Sequence, residues 1–428
     1  MTAVARVFAP PSPPARRRRW PASLRLLLGP DAAGLWAAVL DRPPAALRAT
    51  GVHLRPDGAV AVRYAAELPA AGGWTRWASL VAVTGARIPV GATVLRHAVD
   101  GEPVDVGVWH WSQDPALPAL TWAARPGALA DRLVDLGLAA GPVAVRLRAY
   151  RPGRRAVLEV TTGPRTLFVK VVRPAAGPGL ARRHTLLDGT VPAPPVLAAT
   201  DDGAVVLPGL AGTSLRALVA SGDPGLPGAA ALDRLLDALP EAAAQVPPSG
   251  GRPGDALART ADHAAALGLV APELRPRLYR LTADLAAADP GEHPEVPVHG
   301  DLHASQLLVA GGAVTGLLDV DTLGPGHRID DWASLLGSLV LLEAVLPAGA
   351  VAYRAELEEA ALHRWPAAQL RPRIAAVLLG LAAGPVRVLR PGWPARVVAR
   401  VALAERWAAP EPRGRRASTG SGRAGGTV

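Results

Sequence analysis

The sequence predicts an α+β protein of two lobes with a cleft between them, preceded by a further block of α and β segments. Three observations carry this reading. Residues 141–172, "GPVAVRLRAYRPGRRAVLEVTTGPRTLFVKVV", read as strand, turn, strand, turn, strand, with Pro-Gly and Gly-Pro as punctuation. From Thr213 onward the apolar spacing is mostly helical. One β-like patch near 305–319 interrupts it, and acidic side chains gather there. A small antiparallel sheet followed by a helical lobe is an α+β order.

The 428 residues are half hydrophobic, which allows two or three domains with real cores. The absence of cysteine excludes a disulfide scaffold, a thiolate metal site and a thiol nucleophile. The chain has no asparagine, and of its 46 basic residues only Lys170 is lysine. This bias reads as GC-rich coding. A drift that turns lysine into arginine stops where the two are not interchangeable, so Lys170 is informative. The net charge of +10 suggests nucleic acid, but its distribution argues otherwise. Residues 213–410 hold 17 Arg against 21 Asp and Glu, and much of the basic excess lies in "RRRR" and "RGRRASTGSGR" near the two ends. No specific nucleic-acid partner is expected. The longest apolar runs fall short of the roughly 20 residues that span a bilayer. The N-terminus lacks an apolar signal core. No membrane association and a cytoplasmic location are the expectations; the oligomeric state is unknown.

In chain order, residues 1–20 are a Pro/Arg leader expected to be disordered. Residues 21–138 form an accessory block with strand-like stretches "GVHLRPDGAVAVRYAAEL" and "WASLVAV", ending in a helical pattern near "GALADRLVDLGL". Seven of the eleven tryptophans lie between Trp20 and Trp122, as core residues or as platforms for sugar rings. Residues 139–212 form the small sheet lobe. They include a short helix in "GLARRHTLLDG" and a hairpin turned at Asp202-Gly203. Residues 213–410 are the helical lobe, and residues 411–428 a disordered tail.

The chemistry concentrates in "VHGDLHASQLLVAGGAVTGLLDVDTLGPGHRIDDWASLL". "AGGA" between two apolar runs reads as a hairpin turn. A turn centred on Gly311-Gly312 puts Gln306 opposite Leu317 and gathers Asp301, Gln306 and Asp319 at one end. Two carboxylates and an amide oxygen suit a hard cation such as Mg²⁺. In "RTLFVKVV", Phe168, Lys170 and Val172 face one way. One ammonium aimed into a cleft opposite a Mg²⁺-type site is what phosphoryl transfer needs.

These residues resemble the aminoglycoside/choline phosphotransferase family, which has a protein-kinase-like fold. "HGDLHASQ" and "LLDVD" are similar to its catalytic and metal loops, "LFVK" to its third-strand lysine motif, "AVVLPGLAGTSL" to its inter-lobe hinge, and "RIDDWASLL" to a later helix start. The likeness spans roughly 140–410. It implies an ATP-dependent transfer of the γ-phosphoryl group to a hydroxyl of a small molecule: an aminoglycoside, sugar, choline or amino alcohol. Among relatives, the added N-terminal block is similar to that of maltose kinases. The resemblance makes Asp301 the catalytic residue, Lys170 the nucleotide-phosphate ligand, Gln306 and Asp319 the Mg²⁺ ligands, and His299 and Asp331 structural supports. It assigns nothing to His303 or His327.

Three departures from the family pattern bear on activity. Gln306 stands where the family uses asparagine. The segment after the lysine strand has no acid before Asp188 to pair with Lys170. The turn "YRPGRR" has one glycine, although Arg151, Arg154 or Arg155 can reach phosphate. A degenerate nucleotide-binding protein without turnover is therefore the alternative. A third reading is a dinuclear hydrolase using His299, Asp301, His303, His327 and nearby aspartates.

Overall fold

The computed structural model describes residues 20–40, 42–69, 74–86, 88–138, 141–247 and 255–410. The chain opens with helices α1 (Ala22–Leu28) and α2 (Ala32–Ala37). Strands β1 (Ala46–Leu54), β2 (Val60–Pro69), β3 (Thr75–Thr84), β4 (Thr93–Val99) and β5 (Glu102–His110) follow, forming one antiparallel sheet in the order β1-β2-β3-β5-β4. Strand β2 alternates in burial, as a sheet with two unlike faces requires. One face packs with Leu24, Leu27 and Trp36, and the Tyr64 hydroxyl donates to the Leu27 carbonyl at 2.6 Å. The β4–β5 hairpin turns at Asp100-Gly101, both at positive φ (51° and 83°). That Asp-Gly pair was a readable turn signal in the sequence. Helices α3 (Leu120–Ala123) and α4 (Pro126–Asp135) close this part. Trp74 and Trp77 are exposed, whereas Trp20, Trp36 and Trp109 are buried.

A second antiparallel sheet has the order β6-β7-β8-β10-β9. Its strands are β6 (Ala144–Arg151), β7 (Arg155–Thr162), β8 (Arg165–Val172), β9 (Ala198–Ala199) and β10 (Ala204–Pro208). Helix α5 (Gly177–Leu187) links β8 to β9. Strand β8 is buried on both faces. Leu167, Val169 and Val171 share a core with Trp109, Leu120, Leu129 and Leu133 of the N-terminal part. Val172, on the opposite face, packs with Leu180 of α5 and with Val205 and Leu207. The Asp202-Gly203 hairpin is where the sequence places it. Gly203 has φ of +95°, and a Cβ there would lie 2.3 Å from the Val172 carbonyl oxygen, so only glycine fits.

Polar contacts bolt the N-terminal part to this sheet. Asp114, 1% exposed, accepts from the Tyr150 hydroxyl and from the Gly153 amide, both at 2.7 Å on one carboxylate oxygen. The Trp109 indole donates to the Tyr150 hydroxyl at 3.0 Å. The β6–β7 turn, with Gly153 at φ of +67°, is thus held from outside its own sheet. Trp122 likewise donates to Asp202 at 2.7 Å.

The remaining chain is helical around two small β pairings. Strand β11 (Thr213–Ser214) leads into α6 (Leu215–Ser221), whose N-terminus is capped by the Ser214 hydroxyl. Helices α7 (Ala229–Asp237), α8 (Thr260–Val270) and α9 (Arg275–Ala286) follow. Strands β12 (Val296–Val298), β13 (Leu307–Ala310), β14 (Ala313–Leu317) and β15 (Gly324–Gly326) carry the loops between them. Helices α10 (Arg328–Glu343), α11 (Pro347–Leu362), α12 (Ala367–Ala382), α13 (Gly384–Arg387) and α14 (Trp393–Ala408) complete the lobe. The result is the expected α+β, protein-kinase-like arrangement: a sheet lobe, a helical lobe, and an added N-terminal α/β part. Among the described residues no helix is long and apolar enough to cross a membrane.

One expectation is corrected. Trp20, placed in a disordered leader, is 5% exposed, and its indole donates to the Val270 carbonyl at 3.0 Å. A large apolar ring with a satisfied N–H belongs to a core. Residues 1–19 and 411–428, also expected to be disordered, lie outside the described residues.

Asp114→Ala would leave the Tyr150 hydroxyl and the Gly153 amide without their acceptor. At about 1–3 kcal/mol for each buried group left unpaired, a clear loss of stability is expected in denaturant unfolding. An unchanged midpoint would show that the turn does not depend on Asp114.

Candidate active site

The β13–β14 hairpin turns at Gly311-Gly312, both at positive φ (57° and 75°). Its register differs by one residue from the simple two-residue turn. Leu307, not Gln306, lies opposite Leu317, because the ladder slips between Leu308 and Val309 and leaves Thr315 as an extra residue. The Thr315 hydroxyl donates to the Ala211 carbonyl at 3.2 Å, which ties the bulge to the inter-lobe segment. Beyond the ladder, the Leu318 amide donates to the Gln306 carbonyl at 2.8 Å. Gln306 is therefore brought beside the residue that precedes Asp319.

Asp301 sits exposed on the loop after β12. Two fully buried residues brace that loop. Asp331, in the first turn of α10, accepts from the His299 and Gly300 amides, each at 2.8 Å. Burial pushes its carboxyl up, and the two backbone amides it accepts from oppose that push. The His299 ring contacts the Leu318 carbonyl at 2.9 Å through Nε2, so Nε2 carries the proton and Nδ1 is left to accept from the Asp301 amide at 3.4 Å. The Thr322 hydroxyl donates to the His299 carbonyl at 2.9 Å. The Asp301 and Asp319 loops are thus fastened to each other through one histidine.

Lys170 projects from β8 across the cleft. Its ammonium donates to Asp321 at 2.6 Å and to Asp319 at 3.2 Å. Arg155, at the start of β7, spans the same two carboxylates: 3.2 Å to each Asp319 oxygen, and an ion pair with Asp321. Burial alone lowers the Lys170 pKa, but Asp321 and Asp319 outweigh it and hold the ammonium above its ordinary range. Burial alone would raise Asp319, yet Lys170 and Arg155 hold it well below the usual carboxylate range. Asp319 adopts a left-handed conformation, φ 57° and ψ 50°, which asparagine and aspartate tolerate better than most side chains.

The missing glutamate finds its answer here. Helix α5 offers Lys170 no acid, because Asp188 caps its C-terminal end. Arg183 of the same helix donates instead to the Leu323, Gly179 and Pro247 carbonyls. Asp321, two residues past Asp319, supplies the partner. The sequence reading passed over it, although "DVD" spaces two acids so that one short turn can present both.

Among the described residues no three His, Asp or Glu side chains converge to hold a metal. A dinuclear, histidine-rich centre is therefore without its ligands; His327 contacts the Pro294 carbonyl and the His293 ring instead. Asp319 and Asp321 do converge, since both reach Lys170 and Arg155. Mg²⁺ is typically held by one or two carboxylates plus substrate phosphates, so this oxygen-only pair fits it. Gln306 is buried; its Oε1 accepts from the His303 amide at 3.1 Å, and its Nε2 has no partner.

Because Lys170 is the sole lysine, its reactivity can be read directly. Asp321→Asn removes the nearer carboxylate, so the lysine pKa should fall. Each unit of that fall raises the free-amine fraction, and hence the acylation rate near pH 8, by about tenfold. Peptide mapping of Lys170 acylation measures this; equal rates in variant and parent would remove Asp321 as its partner. A second expectation concerns acid. A depressed Asp319 contributes its full stability above its unfolded pKa of about 3.9, and loses it progressively as pH falls from there through the lower folded value. The cross-cleft pairing should therefore survive at pH 5, with its contribution to melting temperature falling away below about pH 4.

No curated sequence matches the chain. Among solved structures it is similar to a thermostable mutant of aminoglycoside phosphotransferase APH(4)-Ia, at 14% identity over 65% of this chain and 97% of that one, TM-score 0.48. It is also similar to an aminoglycoside-3′-phosphotransferase of type VIII, at 22% over 59% and 98%, TM-score 0.42. A third is the macrolide 2′-phosphotransferase MphH from Brachybacterium faecium, at 20% over 67% and 99%, TM-score 0.40. Residues 146–370, from β6 into α12, match the model of the phosphotransferase enzyme family, and with more than half its length inside that match the chain belongs to this family.

Proposed function

We propose that this protein transfers the γ-phosphoryl group of ATP to a hydroxyl of a small molecule. The observation that carries the reading is the cross-cleft cluster: Lys170 held between Asp319 and Asp321, with the Asp301 loop fastened beside it. Residues 139–212 serve as the nucleotide lobe, 213–410 as the lobe with catalytic and metal loops, and 21–138 as an accessory block. Lys170 binds the nucleotide phosphates as a compact charge. Asp319 and Asp321 hold Mg²⁺, with the Gln306 amide oxygen as a further candidate ligand. When bound, the ion neutralises charge on the phosphates. Arg155, which spans the same two carboxylates, would donate to phosphate oxygens of the bound nucleotide. Asp301 accepts the proton of the acceptor hydroxyl as its oxygen bonds to the γ-phosphorus and the bond to the β-phosphate oxygen breaks. ADP and a phosphate ester are the products. His299 and Asp331 touch no substrate; they fix the loop on which Asp301 stands.

In such a loose transition state the protein mainly positions groups and stabilises charge. A positioned general base contributes about 10²- to 10⁴-fold. Asp301→Asn should therefore lose at least about a hundredfold in turnover, while nucleotide and Mg²⁺ still bind. ADP release across a panel of hydroxyl acceptors, together with calorimetry of Mg²⁺ and AMP-PNP, measures both. Normal turnover in Asp301→Asn would remove it from the chemistry. Tight nucleotide binding with no transfer to any acceptor would leave a binding protein without turnover.

A further inference from the structure

Arg183 of α5 is 3% exposed, and among the described residues no carboxylate is bonded to it. Other buried arginines meet acids: Arg373 pairs with Asp330 at 3.0 Å, and Arg354 with Glu343 and Glu358. The Arg183 fork is spent on backbone carbonyls instead, and each nitrogen serves a different stretch of chain. Nε donates to Leu323 at 2.9 Å, Nη1 to Gly179 at 3.0 Å and Nη2 to Pro247 at 2.7 Å. The Gly179 bond turns back on α5 itself and fixes the direction of the fork. A Cβ at Gly179 would lie 3.3 Å from Nη1, so the glycine leaves the guanidinium its room. Leu323 and Pro247 belong to the helical lobe. Only arginine offers donors in a rigid planar fork that can meet three carbonyls at once.

Leu323 closes the short turn Val320–Thr322, which carries Asp321; its amide donates back to the Val320 carbonyl at 3.0 Å. Two further fastenings of this turn lie within the helical lobe. The Thr322 hydroxyl donates to the His299 carbonyl, and Gly324, the next residue, pairs with Val298 in the β12–β15 ladder. The Arg183 bond joins the turn to α5. On the other side of Asp319, the Leu317 amide donates to the Pro192 carbonyl at 2.8 Å, a few residues past the end of α5. Residues 317–323 thus hang from the α5 region at both ends, with Asp319 and Asp321 between. Asp321 reaches Lys170 on β8 at 2.6 Å, and α5 packs on β8 through Leu180 and Val172. A closed ring of contacts therefore runs from Lys170 through Asp321, Leu323 and Arg183 to α5, and back to β8.

We propose that Arg183 is a positioning residue: through the Leu323 carbonyl it sets the Val320–Thr322 turn so that Asp321 meets Lys170. Helix α5 supplies no acid to the lysine, and by this route it governs the lysine's partner instead. Arg183 makes no hydrogen bond to Lys170 or to Asp321, so its effect on the pair passes through the backbone of the turn. A charge-assisted bond is short and directional, and a small shift of the turn is enough to weaken it. The consequence for phosphoryl transfer rests on the kinase reading of the cleft. The consequence for the lysine does not.

The sole lysine reports this geometry directly, by peptide mapping of Lys170 acylation in the full chain at pH 8. In Arg183→Gln the turn loses its tie to α5 and Asp321 drifts from the ammonium. Acylation should rise about threefold or more, as for a fall of roughly half a pKa unit. In an Asp321→Asn background the same substitution should add nothing, because the partner it acts through is already gone. Arg183→Lys keeps the stem and the charge but loses the fork; it should raise acylation likewise, and it carries the test if the glutamine variant does not fold. Calorimetry with Mg²⁺ and AMP-PNP should show binding about tenfold weaker in either variant, the worth of one charge-assisted hydrogen bond. Acylation at the parent rate, in a variant that circular dichroism shows to be folded, overturns the proposal. So does an equal rise in the Asp321→Asn background, which would make Arg183 a general support of the cleft. Failure of AMP-PNP to bind the parent would sink the kinase reading instead, and the lysine measurement would still read the clamp.

Discussion

The cleft is organised by one electrostatic arrangement: two cations of the sheet lobe, Lys170 and Arg155, set against two carboxylates of the helical lobe, Asp319 and Asp321. Neither set is comfortable alone. Lys170 is 8% exposed, and an ammonium so placed needs opposite charge to remain ionised. The two carboxylates, three residues end to end, would repel each other without cations between them. The pairing therefore holds Lys170 protonated and Asp319 ionised, and it ties the two lobes together. Other features serve it: the left-handed turn at Asp319, the bulge at Thr315 that sets the hairpin register, and His299 between the two loops.

The N-terminal part solves a packing problem of the sheet lobe. A strand such as β8, apolar on both faces, needs cover on both. Helix α5 and its neighbours cover one face, and Leu120, Leu129 and Leu133 cover the other. The same part reaches the helical lobe through Trp20 and Val270. It thus touches both lobes.

Much of this was legible in the sequence, for identifiable reasons. The three strands around Lys170 carry strong turn punctuation, and the Gly-Gly hairpin announces itself. Asp301, Asp319, His299 and Asp331 stand in a short segment whose spacing is itself informative. What escaped was non-local. Asp321 pairs with a lysine 151 residues away, and no periodicity encodes that. The Thr315 bulge is set by a carbonyl at Ala211, so counting from the turn gave a register off by one. Trp20 looked like part of a Pro/Arg leader because its partner, the Val270 carbonyl, lies in the other lobe. The β4–β5 hairpin is different: its Asp-Gly turn was present in the sequence and was passed over.

The pinned β6–β7 turn has a thermodynamic consequence. Turns that cover nucleotide phosphates are commonly rich in glycine, and such a turn surrenders its conformational entropy when ligand arrives. Here a single glycine, Gly153, is tied by its amide to Asp114, and Tyr150 is tied to the same oxygen. The backbone of the turn that carries Arg151 and Arg154 is thus ordered when the chain folds, and that entropic cost falls on folding. Rigidity that other turns acquire from their ligand is supplied in advance by an aspartate from the segment that follows β5.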